Sequence, residues 1–109
     1  MDKVIRDAIK IAIEGGKIEW QRHALERMMK RGISREMVKK ILISGEVIEE
    51  YPDDKPFPSA LFFGWNEEEP FHVVASYDSQ TGYCFIITTY RPDIEHFESD
   101  YRTRRQHGK

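Results

Sequence analysis

Cysteine is nearly absent from this 109-residue chain: Cys84 stands alone, so an intrachain disulfide or a cysteine-based metal site is excluded. Its place inside the apolar run Tyr83 to Tyr90 makes it a small buried hydrophobe. Long hydrophobic runs are missing too. No stretch approaches the roughly 18 apolar residues that span a bilayer, and the opening Met1-Asp2-Lys3-Val4-Ile5-Arg6-Asp7 is broken by charges, unlike a secretion signal. No membrane association is expected, and the expected location is cytoplasmic. His23, His72, His96 and His107 are scattered, without H-x-x-x-H or H-E-x-x-H spacing, so no metal is expected. Gly15-Gly16 lacks any P-loop or G-x-G-x-x-G context, and no G-x-S-x-G surrounds Ser59, Ser76 or Ser79. Phosphate loops and serine nucleophiles are thereby set aside, and no cofactor is expected.

What is present suits a packed domain. Hydrophobic residues make up 39% and charged residues 33%, with two Trp, five Tyr and six Phe, far from the aromatic-poor profile of disorder. The length fits a single domain over residues 1–109, with helices over 1–45, a sheet over 46–91, and a C-terminal helix and basic tail over 92–109. The net charge of −2 conceals a segregation along the chain. Residues 21–40 hold seven Arg and Lys against Glu26 and Glu36, a balance of +5, whereas residues 41–69 hold eight acids against Lys55, a balance of −7. If the fold keeps these segments apart, one surface attracts nucleic acid; if it joins them, they neutralise each other.

Helices come first and strands second. Val4, Ala8, Ile11 and Ala12 recur at helical spacing, which predicts an amphipathic helix over 2–14 ended by Gly15-Gly16. A short extended piece, Lys17 to Trp20, leads to a second helix over about 21–31 that stops at Gly32. Ser34 is the N-cap of a third helix, in which Met37, Val38, Ile41 and Leu42 form the buried stripe before Gly45. From Val47 the pattern changes to runs rich in β-branched and aromatic residues: 47–51, 60–65, 71–77 and 83–90. Their connections are too short for crossover helices, and the stiff loop Pro52 to Pro58 uses Asp53-Asp54 as turn residues rather than as a ligand pair. The expected fold is α+β, with N-terminal helices packed on a four-stranded antiparallel β-meander and a short C-terminal helix from Asp93.

One stretch carries a chemical suggestion. In the second helix His23, Arg27 and Arg31 stand at i, i+4 and i+8 along one border of the apolar stripe of Ala24, Leu25, Met28 and Met29. A titratable group then lies beside two fixed positive charges. A metal-independent ribonuclease needs a base for a 2′-hydroxyl, cations for the phosphorane and a proton donor for the leaving oxygen. His23, Arg27 and Arg31 could meet His72 on its strand and Tyr90-Arg91 at the end of the last strand if the helix packs beside them. His72 alternates with Phe71 and Val73, so it faces away from both and shares its side with Val74. The plain alternatives are an amphipathic helix with a solvated basic face, a hydrogen-bonded core histidine and a strand-end packing pair.

Several ordered blocks also carry a resemblance. His23-Ala24-Leu25-Glu26-Arg27-Met28 through Arg31-Gly32-Ile33, Tyr51-Pro52-Asp53-Asp54-Lys55-Pro56, His72-Val73-Val74 and Ile86-Ile87-Thr88-Thr89-Tyr90-Arg91-Pro92 look like the family catalogued as domain of unknown function 4258, over about residues 17–103. That family resembles the RelE-like and BrnT-like bacterial toxins, and its members look like partners of zinc-ribbon antitoxins related to that of MqsR. The resemblance implies a RelE-like toxin fold, RNA as substrate and a cognate antitoxin as partner. The family blocks carry over to His23, Arg27, Arg31, His72 and Tyr90; on the ribonuclease reading His23, His72 and Tyr90 are the catalytic residues, and Arg27, Arg31 and Arg91 bind phosphate or RNA. Two readings follow: an mRNA-cleaving toxin of a toxin-antitoxin pair, or a noncatalytic protein-binding module on the same fold. Convergence of His23, Arg27, His72 and Tyr90 in one cleft favours the first, and dispersal favours the second.

Overall fold

The computed structural model describes residues 2–105, with side chains from residue 5 onward. Three helices precede most of the sheet: α1 Asp2–Glu14, α2 Arg22–Arg31 and α3 Arg35–Ser44. The strands are β1 Ile18–Trp20, β2 Glu46–Tyr51, β3 Ser59–Asn66, β4 Glu69–Asp78 and β5 Tyr83–Tyr90. Gly32 ends α2 in the left-handed region at φ 67°, and the Ser34 hydroxyl caps α3 by accepting from the Met37 amide at 3.1 Å. Among the described residues no helix is long and apolar enough to cross a membrane.

The sheet corrects the expected four-stranded antiparallel meander. It has five strands in the order β1-β5-β4-β3-β2, with β2 to β5 antiparallel and β1 joined parallel to β5. Ile18, Glu19 and Trp20 pair with Cys84, Phe85 and Ile86, and the Cys84 amide donates to the Lys17 carbonyl at 3.0 Å. Three residues carry too little alternation to announce a strand. Their partner lies more than sixty positions away, and the pairing satisfies backbone groups that would otherwise line an open edge of β5.

One face of the sheet packs on the helices. Phe62, Phe71, Val73, Ala75, Cys84 and Ile86 meet Ile9, Ala24, Met28, Val38, Ile41 and Leu42 in a buried apolar cluster. Burial pushes the Cys84 thiol up to about 12, so it stays protonated and inert.

The C-terminal segment is the second correction, because the helix expected from Asp93 does not form. Asp93 Oδ1 accepts from the Glu95 and His96 amides at 3.0 and 2.9 Å, and one turn closes from the Phe97 amide to the Asp93 carbonyl. A second turn built on Asp100 then reverses the chain, with Oδ1 accepting from the amides of Arg102 and Thr103. Phe97 and Arg104 bridge as an antiparallel pair. Asp side chains that bond nearby amides compete with helix propagation, and Phe97, buried against the sheet, rewards the reversal. Residues 93–105 thus form an arm across the face of the sheet opposite the helices. The remainder of the expected basic tail, 106–109, lies outside the described residues.

Candidate functional site

The site grows from the register of β4 and β5. His72 stands opposite Phe63 on β3 and Tyr90 on β5, on the side away from the helices, as its alternation with Phe71 and Val73 requires. The imidazole is 0% exposed. Nε2 lies 2.7 Å from the Tyr101 carbonyl and Nδ1 lies 3.3 Å from the Tyr90 hydroxyl. A carbonyl can only accept, so Nε2 carries the proton and Nδ1 accepts from Tyr90. The rings of Phe63, Tyr90 and Phe97 surround it edge-on, the closest at a centroid distance of 4.6 Å.

Burial holds the His72 pKa below its ordinary 6.5, against the Tyr101 carbonyl, which favours the charged form, and with the help of Arg104, which opposes it. The unfolded chain therefore binds a proton near pH 6.5 that the folded chain refuses. His72 contributes stability that is full above that pH and is lost as the pH falls toward its folded value. We expect denaturation midpoints to fall on acidification through this region, and a His72→Phe variant to flatten the curve there. An unchanged slope in the variant would assign the pH dependence elsewhere.

The arm supplies the rest of the polar network. Arg104 grips Glu49 on β2 with Nε and Nη2, at 2.7 and 3.2 Å, and lies over the Phe97 ring. The Tyr51 hydroxyl donates to the same carboxylate. Burial works to raise the Glu49 carboxyl, but the bonds from Arg104 and Tyr51 outweigh it and hold it below the usual carboxylate range. Burial raises the Tyr90 phenol, which stays protonated at neutral pH. Tyr101, whose carbonyl meets His72, sits at φ 61°, a left-handed conformation that costs a bulky side chain energy and is held here by the surrounding contacts.

Beside this network opens a cleft of about 550 Å³ whose walls include Arg31, Tyr90, Arg91, Asp93, His96 and Arg104. Arg31 Nη1 donates to the Thr89 carbonyl at 2.8 Å, tying the end of α2 to β5. Arg91 donates to the Arg31 carbonyl, pairs with Glu69 at 3.2 Å and lies over Phe71. His96 Nδ1 lies 2.9 Å from Asp93 Oδ1, and its side chain is 67% exposed. Hydrogen bonds from the His96 ring and amide hold the Asp93 carboxyl low, so the carboxylate is ionised and orients the imidazole.

Of the six residues selected from the sequence, the fold brings four to this corner. Arg31, Tyr90 and Arg91 line the cleft, and His72 lies behind Tyr90. His23 and Arg27 do not join them. They border a separate depression of about 310 Å³ with Gln21 and Ile87, where His23 is 83% exposed and 3.6 Å from Glu26. Sequence reasoning missed His96, Arg104, Glu49 and Tyr51. The Asp93-x-x-His96 spacing and the Glu49-x-Tyr51 alternation were the available signals, whereas nothing local ties Arg104 to Glu49 fifty-five positions earlier.

The ion pairs also resolve the two fates of the charge segregation. Glu46, Glu49 and Glu69 pair with Arg102, Arg104 and Arg91, so three of the eight acids of the segment are neutralised from the C-terminal side. The basic face of α2 keeps its charge.

A family model described as Domain of unknown function (DUF4258) matches residues 20–91. The chain belongs to that family. The DUF4258 region runs from the end of β1 through β5, and so contains α2, the acidic strand β2, His72, Tyr90 and Arg91. Its boundary leaves Asp93, His96 and Arg104 outside the matched stretch. No curated protein and no solved structure matches the chain. Among the described residues no three His, Cys, Asp or Glu side chains gather as a metal ion would require.

Proposed function

We propose that the protein is a toxin-type, metal-independent endoribonuclease acting on mRNA in the cytoplasm, with the cleft between α2, the end of β5 and the arm as its reaction site. The observation that carries this reading is that Arg31, Arg91 and Arg104 line one cleft with Tyr90, beside an imidazole oriented by a carboxylate. His96 takes the proton of the 2′-hydroxyl, the 2′-oxygen attacks phosphorus, and the P–O5′ bond breaks to leave a 2′,3′-cyclic phosphate. The leaving oxygen takes the proton of Tyr90, whose O–H turns from His72 Nδ1 to deliver it. Arg31 and Arg104 stabilise the charge that grows on the phosphorane oxygens. His72, closed off from solvent and bonded at both nitrogens, positions Tyr90 rather than transferring protons. A cognate antitoxin, of the zinc-ribbon type that the family resemblance implies, masks the cleft.

The test is cleavage of single-stranded RNA in EDTA. Wild type cleaves; His96→Ala loses on the order of 10²–10⁴-fold, as expected for a general base, and Arg31→Ala roughly 10²-fold, as for a donor to developing charge. Both residues are exposed, and because Arg31 also ties α2 to β5, folding of each variant is checked by its unfolding midpoint before activity is compared. Cleavage that requires a metal, or equal activity in wild type and both variants, overturns the reading.

A noncatalytic protein-binding module is the second reading, and two observations favour it: His23 and Arg27 are dispersed from His72 and Tyr90, and His72 is closed under the arm. It requires that wild type cleave no RNA and co-purify with a protein partner that Arg31→Ala or Arg91→Ala releases.

A further inference from the structure

The depression at His23 and Arg27 lies outside the cleft, yet it follows the same helix. Arg27 and Arg31 are one turn apart on α2, about 6 Å along the axis. Arg31 stands at the cleft, and Arg27 stands at the neighbouring hollow, whose floor is Ile87 of β5, 37% exposed. Hollow and cleft are thus successive stations along the line where α2 meets β5.

Among the described residues the two arginines of this line, Arg27 and Arg31, have no carboxylate partner. Among the described residues Arg27 has no ion pair or hydrogen bond, and its neighbour Glu26 is shared by Arg22 and His23, at 3.4 and 3.6 Å. Glu46, Glu49 and Glu69 are held by the arm and by Arg91. On the other side of Ile87 the surface turns acidic, with Asp53 and Asp54 around the next hollow. A phosphodiester backbone is therefore drawn to the α2 side of Ile87 and repelled from the other.

Resting on the reading of the cleft as an RNA site, we infer that His23, Arg27 and Ile87 form a second nucleotide subsite, and that the ligand is a single-stranded oligonucleotide. Arg27 takes the phosphate next to the one at Arg31, and the base or sugar between them lies on Ile87. A duplex hides its bases in its stack and cannot lay one on this floor, whereas a single strand exposes a phosphate edge and an apolar edge together.

The experiment measures binding of a labelled oligouridylate carrying 2′-O-methyl groups, which has no 2′-hydroxyl to attack and so separates binding from cleavage. Wild type binds the single strand and binds a 2′-O-methyl duplex of the same length more weakly. Arg27→Ala weakens single-strand binding on the order of tenfold and lowers the slope of log K against log salt by about 0.7, the value for one phosphate contact on a single strand. Lys30→Ala, on the same helix but lining neither hollow, serves as the charge control. Equal losses in the two variants, equal affinity for the duplex, or no binding by wild type overturns the inference. If binding depends on Arg27 while unmodified RNA survives intact, the subsite stands and the ribonuclease reading fails. If RNA is cut by wild type and Arg27→Ala alike, with unaltered affinity, the reverse holds.

Discussion

Replacing His72 with Ala is expected to lower unfolding stability by about 3–5 kcal/mol, a large share of the roughly 5–15 kcal/mol of an ordinary domain. Two losses add. The ring fills the space between Phe63, Tyr90 and Phe97, and truncation leaves a cavity there. The Tyr101 carbonyl and the Tyr90 hydroxyl also lose their partner inside a buried layer, about 1–3 kcal/mol for each group left without one. His72→Phe restores the volume but not the bonds, and should recover some of the loss. Denaturant unfolding measures both, and an intact domain with a freed arm would show as faster amide exchange confined to residues 97–105. A loss below about 1 kcal/mol for His72→Ala, within the range of ordinary surface substitutions, would show that the arm does not depend on this contact.

Gly45→Ala should be at least as damaging, at about 3 kcal/mol or more, for a purely steric reason. A Cβ at Gly45 would lie 2.5 Å from the Ile41 carbonyl oxygen and 2.5 Å from that of Phe63. Both atoms are backbone, and both are fixed: Ile41 accepts from the Gly45 amide at 2.7 Å, and Phe63 is paired with Glu46. Relief requires moving the end of α3 away from β3, which opens the cluster around Ile41 and Leu42. Gly64 provides the comparison. Its Cβ would meet the tip of the Ile41 side chain at 2.9 Å, a group that can rotate, so Gly64→Ala should cost only about 1–2 kcal/mol. Equal midpoints for the two variants would refute the steric account.

Gly45 also shows how a correct expectation can have a different cause. The sequence placed a helix end there, as it did at Gly32. Gly32 does adopt the left-handed conformation, but Gly45 is extended, at φ −81°, and is glycine because two backbones meet at it. The capping rule describes one chain segment, whereas the close approach involves β3, nearly twenty positions on.

The same division runs through the site. Helical period gave α3 its buried face and placed Ala12, Ala24 and Met28 inside. Ile11 of α1 and Met29 of α2 are nevertheless exposed, and α1 buries Ile9 and Ile13 instead, because the helix faces the sheet at an angle the period does not fix. Alternation gave His72 its side of β4, a pattern written within a few residues. The basic border of α2 was legible for that reason, and so were the strand-end Tyr90 and Arg91. The parallel pairing of β1 was not, since three residues carry no usable period. The arm replaces the helix expected from Asp93 because the pull of the sheet on Phe97 is not a local signal.

Composition, periodicity and turn residues therefore decided that this is an α+β domain with a basic helix, an acidic strand and a histidine aimed away from the main core. Which of these groups act together was decided by folding. Arg104 reaches Glu49, Tyr101 reaches His72 and Arg31 reaches Thr89 across separations of 55, 29 and 58 residues. Such pairs depend on strand register and on the path of the arm over the sheet. Those are properties of the packed chain, in which burial makes each unpaired polar group costly enough to select its partner.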